Sequence, residues 1–177
     1  MTGGGRGIRV TSDLQDLYQE VILDHNRRPR NFRALDNSGR PGTGAPGSGD
    51  AAPGAARIRK VEAHNPLCGD RLTVYLRVED DVIKEAAFQG AGCAISKASA
   101  SLMTDSVKGK TLAEVEALFE RFHRAVTAPP DAPIEDLGKL SALTGVRQFP
   151  VRVKCATLAW YALRAAAEAR DEVVSTE

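Results

Sequence analysis

The sequence predicts an α+β fold in which a small antiparallel three-stranded sheet packs against helices. Alternating apolar and polar residues in the middle of the chain indicate strands, and apolar residues at helical spacing before and after them indicate helices. The chain has 177 residues, 42% of them hydrophobic, which is enough to bury one core. We therefore expect a single domain over residues 12–172, between a flexible N-terminal tail at 1–11 and a tail at 173–177.

The first helix is predicted to begin at Ser12, because Ser12 and Gln15 have the spacing of a capping box. It should end before Pro29, since proline disfavours the helical conformation at the preceding residue. Residues 37–56 are rich in glycine, proline and alanine and can bury little apolar surface. They predict a flexible loop inserted into the domain.

Three strands are predicted next, over residues 57–63, 71–78 and 82–88. The middle strand alternates cleanly, and the short turns imply an antiparallel meander with one covered face. The sequence QGAGC should end the third strand. Helices are then predicted over 94–107, from Thr111 to about 125, near 134–140 and over about 150–171, the second of them opened by a capping box of Thr111 and Glu114.

The three cysteines, Cys68, Cys93 and Cys155, each lie at or near the end of a predicted element. The N-terminus has no apolar signal region, which predicts a cytoplasmic protein, and an odd cysteine count there argues against a disulfide framework. The thiols could be inert and buried, metal ligands, or a reactive thiol with accessories. With Asp70, two residues after Cys68, they would suit zinc, and the thiolates could equally hold an iron–sulfur cluster.

The histidines and the net charge of the chain say less about its function than the cysteines do. His64 lies four residues before Cys68, a spacing that means little on a strand and turn, and His25 and His123 are interpreted as capping or surface residues of helices. The formal net charge of +1, the lack of an interleaved basic–aromatic patch and the lack of a long apolar run predict no nucleic-acid partner and no membrane partner.

Four segments resemble the U-type iron–sulfur assembly proteins, a family related to the N-terminal part of NifU. The segments occur in the family's order: LYQEVILDHNRRPRNF, NPLCGDRLTVYL, FQGAGCAISKASASLM and FPVRVKCATLAW. The resemblance covers residues 12 to about 170. It implies the IscU/SufU-like fold, a small antiparallel sheet against helices, and a metal site of Cys68, Asp70, Cys93 and Cys155.

Two features resemble the SufU branch of this family more than its IscU-like scaffold branch. Lys154 stands directly before Cys155, where the scaffold branch has a histidine, and the interval between Cys93 and Cys155 is longer than in that branch. The resemblance implies a zinc-dependent sulfurtransferase of iron–sulfur cluster biogenesis. Such a protein accepts persulfide sulfur from a SufS-type cysteine desulfurase and carries it to the downstream assembly machinery.

Within that family, we expect Cys68 to be a zinc ligand at rest and the sulfur acceptor at work. Zinc keeps the thiol deprotonated, and a cysteine in a turn moves more easily than one in a helix. Asp70, Cys93 and Cys155 would stay on the metal as anchors. Arg152 and Lys154 would stabilise negative charge or face the partner, or else they are solvated bases in the first turn of a helix.

Two alternatives remain open on the sequence. The same four residues could hold a transient cluster in an iron–sulfur assembly scaffold. Lys154, in place of the histidine of the scaffold branch, is the sequence feature that argues against this alternative. The chain could also be a non-catalytic interaction module stabilised by zinc, in which replacing Cys68 would affect folding alone.

Overall fold

The structure, a computed structural model, describes residues 12–36, 41–42, 58–170 and 173–175. Its helices are α1 Ser12–Arg27, α2 Ala94–Val107, α3 Leu112–Thr127, a 3₁₀ helix Gly138–Gln148, and α4 Pro150–Ala167. Its strands are β1 Ala34–Leu35, β2 Pro41–Gly42, β3 Ile58–Asn65, β4 Asp70–Glu79, β5 Val82–Ala91, and β6 Val174–Ser175. The tail predicted at 1–11 and most of the loop predicted at 37–56 lie outside the described residues.

The main sheet corrects the predicted three-stranded antiparallel sheet. Within the described residues it has four strands in the order β5-β4-β3-β6, and β6 runs parallel to β3, so the sheet is mixed. The chain returns after α4 and pairs Val174 with Ala63 and Ser175 with His64. A two-residue strand is too short to show alternation, and this pairing occupies the edge of β3 that β4 leaves open. The α+β class itself is confirmed.

The third predicted strand is longer than expected, because QGAGC does not end it. Strand β5 continues through Gly90 and Ala91, which pair with Leu72 and Arg71 of β4. Gly90 has φ +139°, and a Cβ placed there would lie 2.0 Å from the carbonyl oxygen of Arg71. The glycine therefore permits a close approach of the two backbones and does not interrupt the strand.

Helices α2 and α4 pack together on one face of the sheet. The ring of Trp160, which is fully buried, stacks on Phe122 of α3 with 4.3 Å between ring centroids. Its indole N–H donates to Ser99 Oγ at 3.2 Å, and that hydroxyl donates to the carbonyl of Ala156. These bonds tie α2 to α4 beside Cys155, so the two helices that carry Cys93 and Cys155 are fixed to each other.

The helices differ from the sequence predictions at their ends. The helix expected near 134–140 begins only at Gly138, as the 3₁₀ helix, because the φ of +60° at Gly138 is incompatible with a right-handed helix running through it. Helix α4 stops at Ala167, where Ala169 takes φ +55° and Arg170 N–H donates to the carbonyl of Ala165. None of the described helices has the length and apolarity needed to cross a lipid bilayer.

The two helical histidines are more enclosed than predicted. His25 is only 2% exposed, and its Nδ1 lies 2.7 Å from Ser101 Oγ on α2. Burial, followed by the nearby Arg30 guanidinium, lowers the pKa of His25. His123 lies 3.0 Å from the Tyr161 hydroxyl and stacks on Phe119. Both rings therefore serve helix packing, which the apolar periodicity around them did not reveal.

The capping box predicted for α3 is present. Thr111 Oγ1 accepts from Glu114 N–H at 3.2 Å, and a Glu114 carboxylate oxygen accepts from Thr111 N–H at 2.7 Å. The box predicted at Ser12 falls on side chains outside those described.

We expect Thr111→Ala to destabilise the fold by about 1 kcal/mol, because the first turn of α3 loses its side-chain acceptor. Urea unfolding followed by circular dichroism measures this loss. Thr127→Ala is the control, since the Thr127 hydroxyl donates within the last turn of α3, to the carbonyl of His123, and caps no N–H group. A loss no larger than that of the control would contradict the capping role.

Candidate metal centre

Three separate parts of the fold supply the predicted site residues. Cys68 lies in the turn between β3 and β4, and Asp70 is the first residue of β4. Cys93 is the N-cap of α2, and Cys155 lies in the second turn of α4. The turn is closed by pairing of Asn65 with Asp70 and by a bond from Gly69 N–H to the carbonyl of Asn65. The sheet and the two helices therefore meet at this turn.

The structure brings three of the four predicted ligands into one group. One donor atom each from Cys68, Asp70 and Cys155 lie within 4.8 Å of one another, and the sulfurs of Cys68 and Cys155 are 3.2 Å apart. Cys93 lies outside this group but touches it, since its Sγ is 4.0 Å from an oxygen of Asp70. Cys68 is exposed and Cys155 is buried, so the group opens to solvent at Cys68.

Asp70 is a fully buried carboxylate, which is costly unless its charge is compensated. One of its oxygens accepts from Cys93 N–H at 2.8 Å, and the other faces Cys93 Sγ. Gly92 makes room for the Asp70 carboxylate, because a Cβ at Gly92 would lie 2.8 Å from the oxygen that accepts from Cys93 N–H. A buried carboxylate surrounded by thiols is the donor chemistry that suits Zn²⁺, so the residues present fit this metal.

The electrostatics of the group also favour a bound cation. Burial raises the pKa of the Cys155 thiol, and contacts with Cys68, Cys93 and Asp70 raise it further. Cys155 without a cation therefore stays protonated at neutral pH. A divalent cation reverses that preference, because it stabilises thiolates directly.

Sequence reasoning missed Asn65, which is fully buried beside the group. Its side-chain amide N–H donates to Cys155 Sγ at 3.7 Å. Cys93 Sγ likewise accepts from a backbone N–H, that of Ser96, at 3.4 Å. The sequence signal was available, because an Asn–Pro dipeptide marks a turn whose asparagine side chain bonds locally.

The proposed accessory residues lie at the start of α4, outside the donor group. Arg152 is exposed and Lys154 is half-buried. Three large apolar side chains in the Cys68 turn and at the start of α4 are also exposed: Leu67 at 62%, Phe149 at 59% and Val151 at 51%. Leu67 precedes Cys68, and the carbonyl of Val151 lies 3.6 Å from Cys155 Sγ. The thiols are thus flanked by an apolar and basic surface.

Comparison with known proteins covers most of the chain. The sequence model of the family described as NifU-like N terminal domain matches residues 17–156. The chain is 36% identical over 152 residues to the zinc-dependent sulfurtransferase SufU of Bacillus subtilis, covering 86% of this chain and 90% of that protein. It is 37% identical over 155 residues to the iron–sulfur cluster assembly scaffold protein IscU of Streptococcus pyogenes, covering 88% and 85%.

Among solved structures, a candidate iron–sulfur cluster assembly scaffold protein for the SUF system from Fervidobacterium islandicum superimposes with a TM-score of 0.67. The two chains share 26% identity, and the match covers 89% of this chain and 99% of the other. The similarity therefore spans the sheet, the helices and the cysteine-bearing segments together.

Proposed function

Because this chain belongs to the NifU-like N-terminal domain family of iron–sulfur cluster assembly proteins, we propose that it is a zinc-dependent sulfurtransferase of the SufU type. It would work in the cytoplasm, take persulfide sulfur from a SufS-type cysteine desulfurase, and pass that sulfur to the downstream assembly machinery. One observation carries the proposal: the exposed thiol of Cys68 lies 3.2 Å from the buried thiol of Cys155, within the donor group that includes Asp70.

We propose that Cys68, Asp70, Cys93 and Cys155 hold the zinc ion. When bound, zinc keeps the thiols deprotonated and offsets the negative charge that three thiolates and a carboxylate would otherwise gather. Cys93, whose Sγ lies 4.0 Å from an oxygen of Asp70, would complete the set, and both residues lie where a strand or helix begins. Cys68 is the ligand best placed to leave, since it is exposed in a turn.

The transfer step uses Cys68 as the nucleophile. Its thiolate attacks the terminal sulfur of the partner's persulfide, so a bond forms from Cys68 Sγ to that sulfur. The sulfur–sulfur bond within the partner's persulfide breaks, and the partner cysteine leaves as a thiolate. Cys68 then carries the persulfide. Arg152 and Lys154, which precede Cys155 on α4, would face the partner or stabilise the negative charge that passes between the sulfurs.

The second candidate function is an iron–sulfur assembly scaffold in which the same four residues hold a transient cluster. The 37% identity to a protein named as such a scaffold supports it. Lys154 counts against the scaffold, because it removes the candidate ligand that the scaffold branch has as a histidine beside its last cysteine and leaves Asp70 as the fourth ligand. A zinc-stabilised interaction module without sulfur transfer is the third candidate, and it would need no exposed thiol at Cys68.

We expect the chain, purified without added metal, to contain about one zinc ion and to be nearly colourless, because the donor set is that of a zinc site. Elemental analysis together with an absorption spectrum measures this. His64→Ala is the matched control, since His64 lies four residues from Cys68 on β3 but is not a proposed ligand, and it should leave the zinc content unchanged. Stoichiometric iron and sulfide in protein purified anaerobically would instead identify the scaffold.

A further inference from the structure

The N–H groups that reach the three thiols are unequally distributed. Cys93 Sγ accepts from Ser96 N–H, and Cys155 Sγ accepts from the side-chain amide of Asn65. Within the part of the chain that the structure describes, Cys68 Sγ contacts the sulfur of Cys155, and no N–H donates to it. The exposed thiol is thus the one without an N–H donor.

Three hydrogen bonds hold Asn65 in place, and two of them orient its side-chain amide. Its Oδ1 accepts from Leu67 N–H at 3.2 Å, and its backbone carbonyl accepts from Gly69 N–H at 2.9 Å. With the oxygen committed to the turn, the nitrogen is left facing Cys155. One buried side chain therefore holds the base of the turn that carries Cys68 and, at the same time, donates to the thiol on α4.

We propose that Asn65 is a positioning residue that selects Cys68 over Cys155 as the sulfur nucleophile. This inference rests on the proposed function. An N–H donated to a thiolate withdraws charge from the sulfur and weakens it as a nucleophile, whereas a thiolate without such a donor keeps its reactivity. Asn65 lowers the nucleophilicity of Cys155, which stays a permanent ligand, and leaves Cys68 as the more reactive thiolate. It does so without contacting Cys68 Sγ, so the Cys68 side chain can move without breaking a bond to Asn65.

Two variants test this role in the full chain. Asn65→Asp keeps the size of the side chain and an oxygen for Leu67 N–H, but it has no N–H for Cys155. Asn65→Ser also keeps an acceptor, and its shorter side chain falls short of the thiol, so it serves if the aspartate variant fails to fold. Ser99→Ala is the matched control, because it loosens the packing between α2 and α4 beside Cys155 and removes no N–H from a thiol.

The first readout is the site of alkylation. The zinc-loaded chain is treated with a limiting amount of iodoacetamide, and peptide mass mapping gives the share of label on each cysteine. Wild type should react first at Cys68. In the Asn65 variants the share of Cys155 relative to Cys68 should rise roughly tenfold, the factor expected for losing a hydrogen bond to a charged group.

The second readout is independent of access to the thiols. In the Co²⁺-loaded chain, the thiolate-to-cobalt charge-transfer absorption should move to lower energy in both Asn65 variants, because the Cys155 sulfur becomes richer in electrons. Ser99→Ala should leave the absorption where it is in wild type. An equal shift in Ser99→Ala would overturn the role of Asn65, since mere loosening would then explain it.

The outcomes separate this inference from the function it rests on. If wild type binds zinc and accepts sulfur on Cys68, but both Asn65 variants keep the wild-type labelling ratio and absorption, the role of Asn65 is wrong and the function stands. If wild type binds neither zinc nor cobalt, the proposed function is wrong and the inference falls with it.

Discussion

Cys68→Ala should abolish sulfur acceptance by the chain while leaving the cysteine desulfurase able to form its own persulfide. The substitution removes the exposed thiol of the donor group and leaves Asp70, Cys93 and Cys155 in place. Cys155 cannot substitute, because it is fully buried in α4 and its sulfur accepts the side-chain N–H of Asn65. Mass spectrometry of the chain after incubation with the desulfurase and cysteine detects the added sulfur atom.

Asp70→Ala is the comparison for this experiment. It removes a buried oxygen donor but no thiol, so it should loosen zinc and retain part of the sulfur acceptance. Zinc content has to be measured for both variants, since loss of metal from Cys68→Ala would otherwise be mistaken for loss of the nucleophile. A persulfide on Cys155 or Cys93 of wild type, with Cys68 unmodified, would show that another thiol is the acceptor.

Gly90→Ala should destabilise the fold by roughly 3 kcal/mol or more, a loss typical of a strained backbone combined with overpacking. A Cβ at this position would lie 2.0 Å from the carbonyl oxygen of Arg71, and the φ of +139° is one that side chains rarely adopt. The obstacle is backbone, so it cannot rotate away. The pairing of β5 with β4 would have to separate, next to the strand start that holds Asp70. Thermal unfolding followed by circular dichroism measures the loss.

Gly109→Ala separates the two contributions to that loss. Gly109 also has positive φ, +82°, but nothing lies within 4 Å of the position its Cβ would take. Its substitution should therefore cost only the backbone term, about 1 kcal/mol. A melting temperature of Gly90→Ala equal to that of Gly109→Ala would mean that the strands do not approach as closely as the structure describes.

The sequence was sufficient for elements whose signals are local. Helix α2 has the predicted bounds 94–107, and the capping box of Thr111 placed the start of α3 correctly. Strand β6 could not be predicted, because its two residues gain their conformation from β3, far away in the chain. Gly90 was expected to end the third strand for a similar reason. Only the neighbouring strand β4 shows that the missing side chain allows the two backbones to pack closely.

The candidate site divides in the same way. The sequence named the three cysteines and Asp70, and their segments matched the family. The distances among them could not be read from spacing, since they depend on the pairing of Asn65 with Asp70 and on the packing of α4 against the sheet. Asn65 escaped notice because its amide acts across 90 residues of sequence, on Cys155, while its local signal indicates only a turn.

The hydrogen bonds from Trp160 to Ser99 and from Ser99 to Ala156 make one part of the site much more stable than another. Cys155 is buried on α4 and Cys93 caps α2, so this buried link fixes the backbones that carry both thiols relative to each other. Cys68 sits among Pro66, Leu67 and Gly69, all exposed, at a hairpin tip. Opening of such a tip draws on local stability alone, which is a small part of the global value. Cys68 can therefore exchange as a ligand without unfolding of the domain. The turn can open locally in every catalytic cycle while the core of the protein remains folded.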